Sequence, residues 1–530
     1  MILVLGLVFR ISGIFWGLPL FDPYARYFHP DEPKIIHGAF TFPEHIWRNT
    51  DLRYPTAFHY LLGILALPFK LLPERTGYDF TYGLGRVISV LAGTITVLIT
   101  FLLTKKIFDE RQALLASFLI AFSMLHVTNS AWATTDVLSS CWMTLFLLLL
   151  NRTLEIGIRK DACFTGIALG LCIGTKYTAV VGIIPVLLLY FQEASKASGN
   201  YVSIKFLRLF LGIQNLLWIL GIAMIVFLIT TPGIIVFPQH LGESLEFETA
   251  RLAQSALPFY HPRVYLNQIA SMGAALGWPL AISSLIGIVL VFIRRERVAS
   301  SWAVMVIVYS IYLGNAMLPR YWIIMMPLLA IFASYFLLVI VQSPVHWKRM
   351  IGYSIAALTC SYTFIYAIAG IVSRYPDPRI EAAHFFEANV PKGVSFGFGN
   401  ISDEFIHLWR YPKIDPEVYQ ASKMLKRPDY IILTSYEYEA IRETISRKIL
   451  DSNYRLPQAY WDEWYRRQPP TARQFRFNEA LWLGKDPEYC LMKKFAPRLL
   501  NPNIEFPPPT IEIFTKQRAP GAKSVECNTK

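Results

Sequence analysis

Long runs of apolar residues with almost no charges recur along the chain, and they restrict its possible folds more than any other feature. A hydrocarbon core of roughly 30 Å needs about 20 apolar residues in a helix. Because backbone amides find no water inside a bilayer, such runs fold as helices. The sequence therefore predicts an all-α polytopic membrane protein. Eleven spans are expected at residues 1–20, 82–104, 112–130, 136–150, 162–175, 178–191, 209–230, 278–293, 302–318, 321–341 and 351–372.

Lysine and arginine are concentrated in alternate loops between these runs, at residues 105–111, 152–160, 196–208, 294–297 and 348–349. Positive charges near helix ends are retained in the cytoplasm. This distribution predicts a cytoplasmic N-terminus and places residues 21–81, 231–277 and 373–530 outside. The same clusters supply much of the net charge of +13, so nucleic acid is not an expected partner.

The first span is expected to stay in the mature protein as a helix. It lacks the basic region and the small-residue cleavage site of a signal peptide, and Arg10 interrupts it. The chain is thus expected to be a multi-pass protein of a bacterial or archaeal plasma membrane.

Two segments of the first exterior loop are predicted to be helices lying on the membrane surface. Residues 33–47 and 57–72 mix apolar side chains with Trp, Tyr, Lys and His, as interfacial helices do. The alternative for the second segment is an extra transmembrane span. That alternative would reverse every later side and remove the agreement among the charged loops.

The composition changes at Ser373, after which charges become frequent. We predict a transmembrane domain at 1–372, an exterior soluble α/β domain at 373–496 and an extended Pro-rich tail at 497–530. Within the exterior domain the patterns predict helices at 377–389 and 437–450 and strands at 393–399 and 430–434.

The six cysteines do not suggest a metal site. Four lie within predicted spans and are expected to be small packing residues: Cys141, Cys163, Cys172 and Cys360. Cys490 and Cys527 lie in the predicted exterior part, where they could pair, although nothing in the sequence fixes their geometry.

Residues 28–33 read Phe-His-Pro-Asp-Glu-Pro and follow the first span almost directly. They place two adjacent carboxylates, Asp31 and Glu32, at a membrane face. An unpaired charge is costly to bury there, so this pair indicates a functional requirement.

Three further charged residues lie at exterior ends of other spans. Asp136 begins a span, where it could instead only cap the helix. Lys176 lies between two short spans, and its ammonium could simply reach the interface. Arg320 lies in a tight turn, where the alternative is an interfacial anchor. In the loop 231–277, residues 239–254 predict an amphipathic helix that is either a solvated surface or a mobile lid.

These acids and cations are expected on one exterior face. Carboxylates can accept a proton from a nucleophile, whereas Lys and Arg can neutralise a phosphate. A site bounded by interfacial helices suits a substrate whose tail remains in the bilayer. The chemistry therefore favours a lipid phosphate as substrate.

Seven short strings occur in order over roughly residues 5–340: Trp16-Gly-Leu-Pro19, Phe28-His-Pro-Asp-Glu32, Arg53-Tyr-Pro-Thr-Ala-Phe-His-Tyr60, Gly85-Arg-Val-Ile-Ser89, Ala133-Thr-Thr-Asp136, Leu171 to Tyr177 and Leu318-Pro-Arg-Tyr321. In these strings the chain resembles the lipid-carrier-dependent glycosyltransferases of the GT-C superfamily, of the protein O-mannosyltransferase and aminoarabinose-transferase type. Each string is weak alone, and their order and sidedness make the resemblance specific.

The resemblance implies that one sugar is transferred, with inversion, from a polyprenyl-phosphate carrier to an acceptor hydroxyl outside the membrane. It implies that Asp31 is the general base, that Glu32 orients it or binds sugar or acceptor, and that Asp136 supports the acceptor. Lys176 and Arg320 would hold the carrier phosphate. The matching strings also contribute His29, Arg53 and Tyr177 as expected substrate-binding residues.

No cofactor follows with certainty from the resemblance, although some relatives bind a divalent ion near these acids. His29, Asp31 and Glu32 could contribute ligands. However, adjacent residues rarely converge on one metal, and no His-x-x-x-His helix is present. A metal is therefore left unassigned.

The expected partners are a polyprenyl-phosphate-sugar donor, the bilayer, and a protein, lipid or glycan acceptor. Two other functions stay open: a transporter or flippase of lipid-linked sugars, and a non-catalytic envelope assembly protein. Transporters usually show paired broken helices near the membrane centre, whereas the charged residues here cluster at one predicted face.

Overall fold

Helices dominate the described chain up to Asn389, and a small sheet follows them. The computed structural model describes residues 1–18, 28–29, 31–44, 52–196, 202–253, 262–314, 318–398, 421–423, 428–434, 489–496 and 510–516. The chain divides into two compact units. The first comprises residues 1–14 and 31–370, and the second comprises residues 15–30 and 371–530.

The described residues contain eighteen α-helices, of which the last belongs to the second unit. They are α1 (Ile2–Ile11), α2 (Glu32–Phe40), α3 (Ala57–Ala66), α4 (Glu74–Ile107), α5 (Glu110–Ala121), α6 (Met124–Asn129), α7 (Thr135–Ile156), α8 (Arg159–Thr175), α9 (Ile183–Lys196), α10 (Val202–Thr230), α11 (Gly233–Val236), α12 (Pro238–Ala253), α13 (Pro262–Leu276), α14 (Trp278–Ile293), α15 (Arg297–Leu313), α16 (Met326–Val341), α17 (His346–Val372) and α18 (Pro378–Asn389). Three 3₁₀ segments join some of them, at Leu67–Leu71, Tyr177–Gly182 and Pro319–Met325.

Five helical segments are long and apolar enough to cross a membrane: α4, α7, residues 212–230 of α10, the continuous segment Pro319–Val341, and α17. The prediction of a helical integral membrane protein is therefore confirmed. All eleven predicted spans are helical at least in part. Their number and the sides of the membrane stay predictions.

Two predicted spans are interrupted, in each case near a serine. The span predicted at 1–20 is helical only to Ile11, beyond which the Ser12 hydroxyl donates to the carbonyl oxygen of Phe9 at 2.7 Å. The span predicted at 112–130 is divided between α5 and α6 at Phe122, and extended Ser123 is the N-cap residue of α6. Serine hydrogen-bonds its own local backbone, which favours helix ends over helix interiors.

Arg10, which interrupts the first apolar run, is fully buried and joins α1 to α5 and α6. Its guanidinium donates to the carbonyl oxygens of Gly6, Ala121 and Ile120 at 2.8, 3.0 and 3.2 Å and lies 3.0 Å from His126 Nδ1. Two of these carbonyls end α5, where a helix presents partial negative charge. The charge is thus satisfied by packing against a helix C-terminus.

Helices α2 and α3 occupy the loop in which two interfacial helices are predicted. They pack closely, because a Cβ added at Gly63 would lie 3.0 Å from the carbonyl oxygen of Ala39. With its 3₁₀ extension, α3 is about 25 Å long, less than the roughly 30 Å of a hydrocarbon core. Helices α14 and α15, which lie in predicted spans, have a similar length, so the choice between an interfacial helix and an extra span stays a prediction.

Close packing of α8 against α10 positions the end of α8, where Lys176 follows. A Cβ at Gly166 would lie 2.7 Å from the carbonyl oxygen of Ile219, and one at Gly170 would lie 2.6 Å from that of Ala223. Small residues four apart let two helix backbones approach in this way.

The loop 231–277 is more helical than predicted. Helix α12 coincides with the predicted amphipathic helix at 239–254, and α11 and α13 were not predicted. Its role as a lid or as a solvated surface stays a prediction.

The second unit contains five described strands, β1 (Phe396–Phe398), β2 (Ala421–Lys423), β3 (Tyr430–Thr434), β4 (Tyr489–Phe495) and β5 (Ile511–Lys516). Their order is β2-β1-β3-β5-β4. Strand β1 runs parallel to β2 and β3, whereas β5 runs antiparallel to β3 and β4, with Ile432 opposite Ile513. The core lies between this sheet and α18, where Phe386 contacts Phe396 edge to face at 5.3 Å.

The predicted extended tail is wrong for part of its length. Residues 511–516 form β5, which lies between β3 and β4 rather than extending into solvent. The apolar residues Ile511, Ile513 and Phe514 are buried there, and buried Glu512 pairs with Lys494 at 3.0 Å. The prolines at 507–509 precede this strand. The predicted helix at 437–450 lies outside the described residues, and so does Cys527.

Residues 15–30 belong to the second unit, where Trp16 and Phe28 contact residues at the start of α18. The indole nitrogen of Trp16 donates to Asp377 Oδ2 at 2.8 Å. The other oxygen of Asp377 accepts from the amide of Arg379 at 2.9 Å and so caps α18. The Arg379 guanidinium lies 3.5 Å from the ring centroid of Phe28.

Candidate active site

The carboxylate of Asp31 forms an ion pair with Arg320, 289 positions away in the chain. Arg320 Nη1 lies 2.7 Å from Asp31 Oδ2, and the side chains are 9% and 15% exposed, respectively. Asp31 is the N-cap residue of α2, but its side chain makes no capping bond, so the carboxylate is directed elsewhere. Arg320 lies in the first turn of the 3₁₀ segment before α16. The pair therefore joins the beginnings of two helical segments.

Tyr54 completes the surroundings of Asp31. Its hydroxyl donates to Asp31 Oδ1 at 3.0 Å. Burial, followed by the charge of Asp31, raises the pKa of Tyr54 well above its usual value, whereas Arg320 opposes this shift. The hydroxyl therefore remains a donor at neutral pH. Both oxygens of Asp31 thus accept hydrogen bonds.

A second ion pair joins Asp136 to Lys176, whose Nζ binds Asp136 Oδ1. Asp136 lies in the first turn of α7, and Lys176 directly follows α8. Their side chains are only 8% and 15% exposed. Thr134, the N-cap residue of α7, makes no side-chain capping bond. Asp136 therefore binds a buried cation in addition to lying at the positive end of a helix.

Tyr321 connects the two ion pairs. Its ring centroid lies 5.2 Å from Lys176 Nζ and 5.8 Å from Arg320 Cζ, so the two cations are no more than about 11 Å apart. The ring is itself buried, and its backbone carbonyl accepts a hydrogen bond from Tyr309. Two cations, each paired with a carboxylate, therefore lie beside one buried aromatic side chain.

Glu32 has a different environment from its neighbour Asp31. It is fully buried, and Arg86 binds it through Nε at 2.9 Å and Nη2 at 2.7 Å. The Tyr82 hydroxyl and the Ala133 amide also donate to it, at 3.2 and 2.6 Å. Arg86 further donates to the carbonyl oxygen of Ile14 at 2.9 Å. The Glu32 carboxylate thus ties α2 to α4 and to the segment before α7.

The other predicted binding residues are placed less directly. The Tyr177 hydroxyl donates to the carbonyl oxygen of Leu52 at 2.9 Å, so it holds the loop that carries Tyr54. Arg53 is half-buried beside Tyr54 in the same loop. His29 is fully buried and belongs to the second unit.

Three important side chains were not singled out from the sequence. Tyr54 and Tyr321 each follow an arginine that was singled out from the sequence, Arg53 and Arg320, respectively. Arg86 is a lone cation in the apolar run of α4, and a charge in such a run needs a buried partner. That signal predicts a buried counter-ion for Arg86, and the structure shows that it is Glu32.

The described residues near these acids do not fit a divalent cation. Asp31 is engaged by Arg320 and Tyr54, and Glu32 by Arg86, so both carboxylates already bind positive or donor groups. Across the described part of the chain, no three His, Cys, Asp or Glu side chains are grouped as metal ligands. No step of the chemistry below therefore uses a metal.

Comparisons with known proteins find a family match over part of the chain. Residues 83–218 match the family model described as dolichyl-phosphate-mannose-protein mannosyltransferase. This segment runs from α4 into α10 and includes Arg86, Asp136 and Lys176. A search of curated proteins finds no match.

Several solved structures are similar in fold. The oligosaccharyltransferase of Archaeoglobus fulgidus in complex with Zn and sulfate has a TM-score of 0.50 and 14% identity, with 97% of this chain and 88% of that chain covered. The archaeal oligosaccharyltransferase AglB from Archaeoglobus fulgidus, in complex with an inhibitory peptide and a dolichol-phosphate, has a TM-score of 0.49 and 14% identity. The match covers 83% of this chain and 70% of that chain. ArnT from Cupriavidus metallidurans, bound to undecaprenyl phosphate, has a TM-score of 0.44 and 15% identity. The match covers 83% of this chain and 94% of that chain.

The predicted resemblance to lipid-carrier-dependent glycosyltransferases is confirmed by the family match over residues 83–218, and the first of these structures is similar in fold. Asp31, Tyr54 and Arg320 lie outside the matched segment, and the roles of all the site residues are proposals.

Proposed function

We propose that this chain is an inverting glycosyltransferase that moves a single sugar from a polyprenyl-phosphate carrier to an acceptor hydroxyl on the exterior face of the membrane. The observation that carries the proposal is the pairing of Asp31 with Arg320 and of Asp136 with Lys176 around Tyr321. This arrangement offers both a proton acceptor and a phosphate binder. The description of the matched family names a dolichyl-phosphate sugar, a donor of the same chemistry.

In the proposed reaction, the acceptor oxygen forms a bond to the anomeric carbon of the sugar as the bond from that carbon to the phosphate oxygen breaks. The leaving phosphate takes the electron pair, and the acceptor proton passes to Asp31. The donor phosphodiester carries one negative charge, whereas the released phosphomonoester carries up to two. Arg320 and Lys176 therefore stabilise charge that develops during the reaction. Loss of one such donor typically lowers the rate about 10²- to 10³-fold.

The ion pairs further suggest an exchange of partners when the donor binds. Arg320 and Lys176 are each held by a carboxylate. A phosphate that binds both cations would take over part of these hydrogen bonds. Asp31 would then be released to accept a proton. Acid and cation therefore keep each other's charge compensated in a mostly buried site until the donor arrives.

Asp136 and Glu32 receive different roles in this proposal. Asp136 holds Lys176 in place and supports the acceptor side of the site. Glu32 acts as a positioning residue, because its hydrogen bonds to Arg86, Tyr82 and Ala133 fix the start of α2, which carries Asp31.

The test is transfer of labelled mannose from dolichyl-phosphate mannose by membranes containing the full chain. Asp31→Asn keeps an oxygen for Arg320 but removes the base, so transfer should fall by about 10²-fold or more. Asp161→Asn is a matched control. Asp161 is a buried carboxylate paired with Arg152 at 3.1 Å, and it lies at the opposite end of α8 from Lys176, about 22 Å away.

The control variant should transfer mannose within about twofold of the unaltered protein at equal expression. Transfer by Asp31→Asn at the control level would remove Asp31 as the base. The unaltered protein would transfer no mannose if its donor carries another sugar. The same assay is therefore repeated with polyprenyl-phosphate glucose and polyprenyl-phosphate aminoarabinose. If the protein moved lipid-linked sugar across a vesicle membrane but transferred sugar from none of these donors to an acceptor, the proposal would be contradicted and a transporter would be favoured.

A further inference from the structure

A cleft of about 570 Å³ opens where α14 and α16 end and α17 begins. Its lining combines cations, an aromatic ring and aliphatic side chains: Arg294, Lys348, Trp347, Ser343, Ile340 and Ile351. None of these residues belongs to the site around Tyr321.

The cleft lies far from that site. Helix α16 begins just after the 3₁₀ segment that carries Arg320, and it reaches the cleft at its other end. Its sixteen residues span about 24 Å. A ligand in the cleft would therefore lie one helix length from Arg320 and Lys176.

The polar side of the cleft suits a phosphate. Within the described part of the chain, neither Arg294 nor Lys348 forms an ion pair with a carboxylate. Glu296, the nearest acid along the chain, accepts a hydrogen bond from the Tyr335 hydroxyl at 3.0 Å, and the Arg294 side chain is also hydrogen-bonded to Tyr335. A guanidinium and an ammonium on one cleft are a common arrangement for binding a phosphate group.

The apolar side of the cleft suits a lipid rather than a soluble anion. Trp347 is 61% exposed, with Lys348 Nζ 5.5 Å from its ring centroid. Exposed apolar residues continue from the cleft along two helices, at Ile293 on α14 and at Ile351 and Leu358 on α17. Trp beside Lys marks the headgroup depth of a bilayer, and an apolar helix surface beyond it contacts acyl chains.

We propose that this cleft binds the phosphate of an anionic phospholipid, with the headgroup on Arg294 and Lys348 and the acyl chains against α14 and α17. The site does not depend on the transferase activity proposed above. It would anchor the predicted cytoplasmic end of α16, whose other end follows the 3₁₀ segment that carries Arg320.

The test measures retention of phosphatidylglycerol by the purified full chain in detergent, by native mass spectrometry and by the lipid-dependent rise in Tm. The variant is Arg294→Gln with Lys348→Gln. The matched control is Arg295→Gln with Arg349→Gln, which removes the same charge from adjacent positions that do not line the cleft. Each cation near a membrane surface contributes to the free energy of binding an anionic lipid. Loss of two cations should therefore weaken phosphatidylglycerol binding about thirty-fold.

Saturable phosphatidylglycerol binding that is lost in the cleft variant and kept in the control supports the site. Equal losses in both variants would overturn it, because general surface charge would then explain binding. Equal retention of phosphatidylcholine would overturn the requirement for an anionic lipid. A rise in Tm with inorganic phosphate as large as that with phosphatidylglycerol would overturn the lipid assignment and indicate a site for a soluble anion.

Discussion

Replacing Glu32 by Gln tests whether this acid holds the site together or acts on the substrate. Gln has the same shape, but its NH₂ group would face donors of Arg86 and Tyr82 in place of an acceptor oxygen. Arg86 would also remain buried without a counter-charge. Losing one member of a fully buried pair costs about 3–5 kcal/mol, a large part of the roughly 5–15 kcal/mol of a typical fold.

The assay is the free energy of unfolding in mixed detergent and SDS micelles, measured beside mannose transfer. We expect Glu32→Gln to lose about 3–5 kcal/mol and transfer to fall with the folded fraction. Adding Arg86→Met removes the uncompensated charge and leaves the introduced amide free to pair with Tyr82 and Ala133, so stability and transfer should both recover in part. Arg152→Gln, which breaks a half-exposed pair, should cost about 1 kcal/mol or less.

A different result would refute the positioning role. If Glu32→Gln were as stable as the unaltered protein but inactive, Glu32 would act on the substrate directly. A stable double variant that transfers no sugar would lead to the same conclusion.

Three further predictions follow from the site and its packing. Tyr54→Phe removes the hydrogen bond to Asp31, which favours the ionised carboxylate, so the acidic limb of the pH profile of transfer should move to higher pH; an unchanged limb would separate Tyr54 from the base. Arg320→Ala should lower transfer about 10²- to 10³-fold, and a rate unaffected by this change would remove Arg320 from the phosphate site. Gly170→Ala should lower the free energy of unfolding by about 1–3 kcal/mol, because the added Cβ would lie 2.6 Å from a carbonyl oxygen. In the control Gly221→Ala the Cβ enters open space, so the free energy of unfolding should not change.

The sequence predicts this fold best where one signal extends over many residues. Apolar runs identify the helices, and the apolar strand Tyr430–Thr434 has the predicted bounds. Short elements were missed, because β2 has only three residues and β5 has six, and β5 owes its burial to neighbouring strands. Prolines before β5 also resemble the start of an extended tail, although they precede a strand that lies inside the sheet, between β3 and β4.

The site was predictable as a set of charges, but their pairing was not. Loop charges suggested one shared face for Asp31, Asp136, Lys176 and Arg320, and the structure places Arg320 against Asp31. The separate environments of Asp31 and Glu32 depend on which way each side chain leaves the first turn of α2. Only the tertiary contacts determine that Glu32 meets Arg86.

The most direct test of the account is a structure of the full chain with a polyprenyl phosphate bound. We expect the phosphate oxygens to lie within about 3.2 Å of both Arg320 and Lys176, with the direct contact between Arg320 and Asp31 lengthened or lost. A phosphate bound elsewhere, with both ion pairs unchanged, would contradict the proposal that these cations hold the carrier and that its binding releases the base.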